Sequence, residues 1–299
     1  MAVQEPVERD ALVAKAAVLV EALPYIQRFR GKTVVVKYGG HNGGDAQVRQ
    51  AVADDLVLMQ LVGMQPVLVH GGGPEITALM RRVGKEATFV NGLRVTDAET
   101  AELAQMVLLG KVNRQLVALI QERGGRAVGL GGQDGGLFAA APLAGPAGVD
   151  LGYVGEVDRV DPTIIRTLSG AGYVPVVAPV AVGPGQLPYN INADMAAGAL
   201  AAGLSAEKLV LLTDVEGVVL DRHSRPRVVS HLDVAEGRTL LASGQVDGGM
   251  IPKLAAAVDA VAAGVSEAHI IDGRVPHALL LEVFTDQGVG TMISGEETA

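Results

Sequence analysis

Thr33-Val34-Val35-Val36-Lys37-Tyr38-Gly39-Gly40 is a short apolar run that ends in a lysine and two residues with no Cβ. A helix-like segment follows it over 46–63. Pro66-Val67-Leu68-Val69-His70-Gly71-Gly72-Gly73-Pro74 repeats the plan, with a helical segment behind it over 74–83. Successive bare backbone N–H groups at a strand-to-helix junction form a cradle for anionic oxygen. Lys37 adds a full positive charge at the lip of the first cradle, unless it only snorkels to the surface from a strand end. Two cradles in one chain suggest two anionic groups held close together, the arrangement that phosphoryl transfer needs.

Outward from these junctions the chain keeps alternating. Expected strands are 33–37, 66–70, 126–130, 174–179, 208–213 and 269–272. Expected helices are 46–63, 74–83, 98–123, 162–171, 194–203 and 253–264. Most of the strands are apolar on both faces, as strands between two helix layers must be. The pattern predicts an α/β fold, a three-layer αβα sandwich with a mainly parallel central sheet. An amphipathic helix over 10–29 precedes it, with Leu12, Ala16, Leu19, Leu23 and Ile26 on one stripe. Pro24 falls inside it and is expected to kink or divide it. The stripe packs on the chain's own core or on another subunit. Two stretches, 131–160 and 218–229, break the rhythm and are candidate flaps over a ligand.

Composition narrows the classes. The chain has 299 residues, 49% hydrophobic and 19% charged, enough for one large α/β domain or two lobes. It has no cysteine, which excludes disulfides, thiolate metal sites and a cysteine nucleophile, and fits a reducing cytosol. A net charge of −9 argues against a nucleic-acid partner and leaves anions to local lysines and backbone dipoles. No stretch approaches the roughly 18 uninterrupted apolar residues of a membrane span. Glu5, Glu8 and Asp10 stand where a signal peptide wants positive charge. The expectation is a cytoplasmic protein with no membrane partner.

Several motifs fail. Gly31-Lys32-Thr33 resembles the end of a Walker A loop, but Ile26 stands where its leading glycine belongs. No segment satisfies G-x-G-x-x-G, H-E-x-x-H or G-x-S-x-G. The six histidines show no ligand spacing, so no dedicated metal site is expected. Other stretches carry chemistry. In Pro188-Tyr189-Asn190-Ile191-Asn192-Ala193-Asp194-Met195 an extended backbone turns Asn190, Asn192 and Asp194 to one side, where an Ala-rich helix begins. Asp194 either caps that helix or orients nearby lysines. In Leu212-Thr213-Asp214-Val215-Glu216-Gly217 a buried strand ends at a polar turn, where open α/β sheets bind ligands. Gly248-Gly249-Met250-Ile251-Pro252-Lys253 again sets glycines and a lysine at a helix start. Arg94, in Asn91-Gly92-Leu93-Arg94-Val95-Thr96, is a surface arginine or a planar clamp for a carboxylate. No general base is evident. A hydroxyl acceptor needs one, whereas a carboxylate acceptor is already ionised and needs only its repulsion from a phosphate relieved.

These motifs, in this order and spacing, resemble the amino acid kinase family, and within it the members that act on N-acetyl-L-glutamate. The resemblance runs from about Gly31 to Ile293. It implies ATP-dependent phosphorylation of the side-chain carboxylate of N-acetyl-L-glutamate in arginine biosynthesis, with Mg2+ entering on the nucleotide. It implies that Lys37 and Lys253 stabilise the transferring group and that Asp194 holds them. Gly40, Gly72 and Gly73 would offer N–H groups, Arg94 would clamp the α-carboxylate, and Asn190 and Asn192 would bind the rest of the acceptor. Asp214, Gly217 and Gly249 would lie on the nucleotide side. Residues 1–30 would form an oligomerisation and regulatory helix, 31–180 an acceptor-binding lobe with the dimer interface, and 181–299 a nucleotide-binding lobe with a regulatory tail. Asn42-Gly43 departs from the usual first loop and makes it more flexible.

The tail 276–292 and the extra N-terminal helix are similar to those of arginine-inhibited members. That implies L-arginine binding near Tyr25, His277, Glu282 and Gly288, and a homo-oligomer, either a hexamer built as a trimer of dimers or a dimer. Some similar enzymes take a PII-type nitrogen-signalling partner, and the sequence leaves that alternative open. Aspartate kinases, glutamate 5-kinase, carbamate kinase and UMP kinase are the rival enzymes. A non-catalytic arginine sensor is the rival of another class, and it has no use for two lysines.

Overall fold

The structure, a computed structural model, describes residues 9–39, 46–90, 92–220, 227–246, 248–285 and 288–295. It opens with α1 (Arg9–Glu21) and α2 (Leu23–Phe29). Pro24 divides the expected single helix: it sits in the first turn of α2, where a missing N–H breaks no helical bond. Then come β1 (Thr33–Tyr38), α3 (Ala46–Leu61), β2 (Gln65–His70) and α4 (Gly73–Arg82). A small antiparallel pair, β3 (Phe89–Val90) and β4 (Leu93–Arg94), leads to α5 (Ala98–Gln105) and α6 (Asn113–Glu122). Between those two helices Met106–Val112 is π-helical. The middle of the chain holds β5 (Ala127–Gly131), β6 (Phe138–Pro142), β7 (Val154–Val160), α7 (Thr163–Gly170), β8 (Val174–Ala178), β9 (Val180–Val182) and β10 (Pro188–Ile191). After α8 (Ala193–Leu204) and β11 (Lys208–Thr213) come β12 (Val219–Leu220), β13 (Arg227–Val228), β14 (His231–Asp233) and α9 (Val234–Ser243). The last elements are α10 (Met250–Ala262), β15 (Glu267–Asp272), α11 (Ala278–Phe284) and β16 (Gly290–Ser294).

Eight strands form one sheet in the order β14-β16-β15-β11-β1-β2-β8-β5. Every pairing in it is parallel except β15 with β16. From β1 the chain builds outward on one side through β2, β5 and β8, then returns to build the other side from β11. β1 is therefore a point where strand order reverses, and in open α/β sheets such points carry the ligand crevice beyond the carboxyl ends of the strands. Lys37 and Gly39, Gly71 to Gly73, and Asp214 all lie at those ends.

Alternation assigns faces. Val34, Val36 and Tyr38 join one apolar cluster with residues of α3, α6 and α11. Val35 joins another with residues of α8 and α10. Lys37 shares the parity of Val35 and so faces α8 and α10. His70 shares the parity of Leu68, which belongs to the α6 side. The result is the expected three-layer sandwich. α8 and α10 touch backbone to backbone at Gly198, where a Cβ would lie 2.8 Å from the Ala256 carbonyl oxygen.

The stretch 131–160 is not a simple flap. Its strands β6 and β7 pair antiparallel and close a small barrel with β9 and β10. The alternation over 152–157 shows a strand, but the partners that close the barrel lie far along the chain. In the other candidate flap β12 and β13 form the hairpin stems, with Val219 opposite Val228, and the tip 221–226 lies outside the described residues. The short elements β3, β4, β14, α9, α11 and β16 were not expected. α9 had a legible start, since Asp233 and Glu236 form a reciprocal capping box. The run Ala98–Glu122 is, among the described residues, the one helix long and apolar enough to cross a membrane. It packs instead on β5 and β8 with Asn113 fully buried.

Candidate active site

α8 starts because the Asn192 side chain accepts hydrogen bonds from the N–H groups of Asp194 (2.9 Å) and Met195 (3.2 Å). Asn192, not Asp194, is the cap, which corrects one of the two readings of Asp194. Asp194 is left free in the first turn, buried and facing the sheet. Lys37 Nζ, from the end of β1, stands 2.9 Å from its Oδ1. Lys253 Nζ, from the first turn of α10, donates to its Oδ2 at 3.0 Å. Burial pushes the Asp194 carboxyl up, but the two neighbouring ammonium groups outweigh it and hold the acid below the usual carboxylate range. Two cations on one anion leave the cluster with a surplus positive charge, placed where a further anion completes it.

The two glycine junctions meet around this cluster. Gly71 N–H donates to Tyr38 carbonyl oxygen at 2.9 Å and ties them together. A Cβ on Gly39 would lie 2.9 Å from Lys37 Nζ, so only glycine leaves the ammonium group its place. A Cβ on Gly72 would lie 2.7 Å from Leu108 Cδ2 of the π-helical stretch. Gly71, Gly72, Gly73, Lys37, Asp194, Asn190, Asn192 and Arg94 line one cavity of about 200 Å3. Arg94, at the end of β4, is buried. Its Nη2 donates to Gly73 carbonyl oxygen (2.9 Å) and Thr77 Oγ1 (2.7 Å), and its guanidinium stacks 4.7 Å over the Phe89 ring. Burial lowers its pKa from the ordinary value. No carboxylate pairs with it among the described residues, so the cavity holds a buried cation with no counterion. Gly40 lies outside the described residues, as do Asn42 and Gly43.

The sequence of this chain matches the amino acid kinase family over residues 32–272. It belongs to that family. It is 56% identical over 287 residues to an acetylglutamate kinase from Pelotomaculum thermopropionicum, covering 93% of this chain and 97% of the relative. Among solved structures it is similar to the N-acetylglutamate synthase of Neisseria gonorrhoeae. The form with coenzyme A and N-acetylglutamate has a TM-score of 0.82 at 28% identity, over 94% of this chain and 63% of that longer one. The form with coenzyme A and L-arginine has a TM-score of 0.76 at 25% identity, over 94% and 65%.

Elsewhere in this amino acid kinase, Asp214 follows β11 on the other side of Lys37 from the β2 glycines. Gly217 packs on Thr291, where a Cβ would lie 2.7 Å from Oγ1. Gly249 precedes α10, one turn before Lys253, with open space beside it. Among the described residues no group of three His, Cys, Asp or Glu side chains is placed to hold a metal.

A second cavity, of about 370 Å3, lies among α2, α11 and strands β11, β15 and β16. Tyr25, Glu282 and Gly288 line it, as expected together. His277 does not join them. It precedes α11 with a left-handed backbone (φ 60°), and its Nδ1 lies 2.6 Å from Asp55 Oδ1 of α3. The histidine that does line the cavity is His269, 2.7 Å from Glu282 Oε1 through Nδ1 and 3.0 Å from Lys208 Nζ through Nε2. Sequence reading missed Lys208 and His269. The available signal was a lysine opening one apolar strand and a histidine set inside another.

Burial pushes the Asp55 carboxyl up to about 6, against the hydrogen bond and charge of His277, which lower it. The folded chain thus holds that proton more tightly than the unfolded chain does. The stability Asp55 contributes is full below the ordinary carboxylate range and is lost as pH rises through about 6. Asp55→Asn removes that loss and keeps an acceptor for His277. Urea unfolding is expected to show the variant about 1–3 kcal/mol more stable than the parent at pH 8 and nearly equal to it at pH 4. The same difference at both pH values would count against it.

Proposed function

We propose that this amino acid kinase transfers the γ-phosphoryl group of ATP to the side-chain carboxylate of N-acetyl-L-glutamate. The observation that carries the reading is the Asp194 bridge, which fixes two ammonium groups with a surplus positive charge beside glycine N–H groups and an uncompensated Arg94. The name and near full-length match of the 56% identical relative support it.

The chemistry follows from charge. A carboxylate oxygen forms the new bond to phosphorus as the bond to the β-phosphate oxygen breaks, giving an acyl phosphate and ADP with no proton to remove. The barrier lies in bringing two anions together. Lys37, Lys253 and the backbone N–H groups of Gly72 and Gly73 offset it, most strongly when charge on the transferring oxygens peaks. Arg94 holds the acceptor's α-carboxylate through its planar fork, and Asn190, lining the same cavity, takes the acetylamino group. Asp214, Gly217 and Gly249 lie on the nucleotide side, in a nucleotide-binding half over 181–299 facing an acceptor-binding half over 31–180. Mg2+ fits as an ion carried by the nucleotide phosphates, since the described residues offer it no cage of their own. When bound it neutralises phosphate charge.

The second cavity is a candidate L-arginine site. Glu282 suits a guanidinium, the lysine and histidine beside it suit a carboxylate, and the arginine-bound synthase shares the fold. Leu12, Val18, Leu19 and Val20 of α1 are each more than half exposed, which supports a homo-oligomer built through this helix, a hexamer or a dimer. Action in the cytoplasm fits a soluble ATP-consuming step.

The test is ADP release with acetylglutamate, glutamate, aspartate, carbamate and UMP offered separately, with and without millimolar arginine. Only acetylglutamate is expected to support strong turnover, and arginine to raise the concentration that half-saturates it. Turnover with another acceptor would overturn the substrate. An unchanged saturation curve would remove the regulatory part alone.

A further inference from the structure

His70 takes no part in the reaction described above, yet it is fully buried at the end of β2, directly before the glycine cradle. Its Nδ1 lies 2.9 Å from the Gly71 carbonyl oxygen and its Nε2 3.2 Å from Asn113 Nδ2. The orientation of the Asn113 amide is fixed on both sides. Its Nδ2 donates to Val176 carbonyl oxygen at 2.8 Å, which only accepts, and its Oδ1 accepts from Arg114 Nη2 at 2.8 Å, which only donates. The group facing His70 Nε2 is therefore an N–H donor, and Nε2 must be the bare nitrogen. The proton then sits on Nδ1 and is donated to Gly71. Burial, which lowers the pKa of His70 to about 4, keeps the ring neutral at working pH, so this single tautomer persists.

We propose that His70 is a positioning residue that fixes the peptide plane between Gly71 and Gly72, so that Gly72 N–H points at the transferring phosphoryl group; this rests on the phosphoryl-transfer reading. The peptide is trans, so its carbonyl and N–H point in opposite directions. The carbonyl is drawn toward His70, on the α6 side of the sheet. Gly72 N–H is thereby turned to the other side, where Lys37, Asp194 and Lys253 meet. No described residue accepts a hydrogen bond from it. A peptide flanked by two glycines otherwise turns over at little steric cost, because neither residue has a Cβ to oppose it. Asn113 begins α6 immediately after the π-helical stretch, and that stretch also sets Leu108 against Gly72. One helix irregularity thus holds the cradle at two points.

The test uses His70→Leu, which removes the donor, and His70→Asn, whose Nδ2 stands where the histidine Nδ1 does. His70→Leu is expected to lower kcat about 100-fold, the scale of one lost transition-state donor, with KM for acetylglutamate within about threefold. His70→Asn is expected to recover kcat to within about tenfold of the parent. A purely structural histidine would instead lower the unfolding midpoint of both variants and leave kcat of the folded fraction alone. Folded His70→Leu with kcat within about threefold of the parent, or His70→Asn as slow as His70→Leu, overturns the proposal. Ring 15N spectra of the parent judge the geometry without turnover. A proton on Nδ1 is expected, and a proton on Nε2 overturns the proposal even if neither variant folds. A parent that bears the proton on Nδ1 but phosphorylates no acetylglutamate fails the functional reading and not the orientation.

Discussion

Replacing Lys37 by methionine is expected to lower kcat by about 10²–10³-fold while leaving the protein at least as stable as before. The two halves of this expectation come from the same geometry. Lys37 and Lys253 share the two oxygens of Asp194, and Lys37 is nearly inaccessible to water. In the absence of substrate its charge is in excess, so the folded chain bears the cost of burying it without full compensation. Methionine fills similar space and leaves Asp194 paired one-to-one with Lys253. On the proposed function the transition state then lacks one stabilising cation, and the rate is expected to fall. Steady-state kinetics with acetylglutamate and ATP, alongside thermal unfolding, separates the terms. A rate within about tenfold of the parent would remove Lys37 from the chemistry.

Asp194→Asn is expected to do harm of both kinds. The substitution keeps the shape and removes the anion that two ammonium groups depend on. Breaking a buried ion pair by deleting one partner costs about 3–5 kcal/mol, because the other charge stays buried and unpaired. The first turn of α8 also loses a negative charge that its dipole favours. Without the bridge the lysines repel each other, and the rate is expected to fall at least as far as in the Lys37 variant. Urea unfolding at pH 7 reads the stability change directly. A variant as stable as the parent would mean that the bridge contributes nothing to holding α8 and α10 against β1.

Much of this was legible in the sequence. The paired glycine junctions marked the carboxyl ends of β1 and β2, and the family resemblance implied that Asp194 holds Lys37 and Lys253. The failures have physical causes. Asn192 and Asp194 are both good capping residues, and the choice between them depends on where β10 leaves the barrel, which local sequence does not specify. His269 lies inside a buried strand and looks like a packed core residue until α11 folds back and sets Glu282 beside it. His277 was expected in the second cavity on resemblance alone, whereas its actual partner, Asp55, is 222 residues away, a pairing that local sequence does not mark. The barrel of β6, β7, β9 and β10 depends on pairings between segments that carry no mark of one another. The π-helical stretch is too short for its period to be told from that of an ordinary helix.

The close approach of α8 to α10 at Gly198 has a mechanical consequence. With peptide groups already at touching distance, those two helices have no room to slide or tilt against each other. Asp194 and Lys253 therefore ride on a single rigid body, and the spacing between them is set before anything binds. Whatever opening admits reactants and whatever closure expels solvent must be hinged elsewhere, in the segments that frame the cavity rather than in its floor.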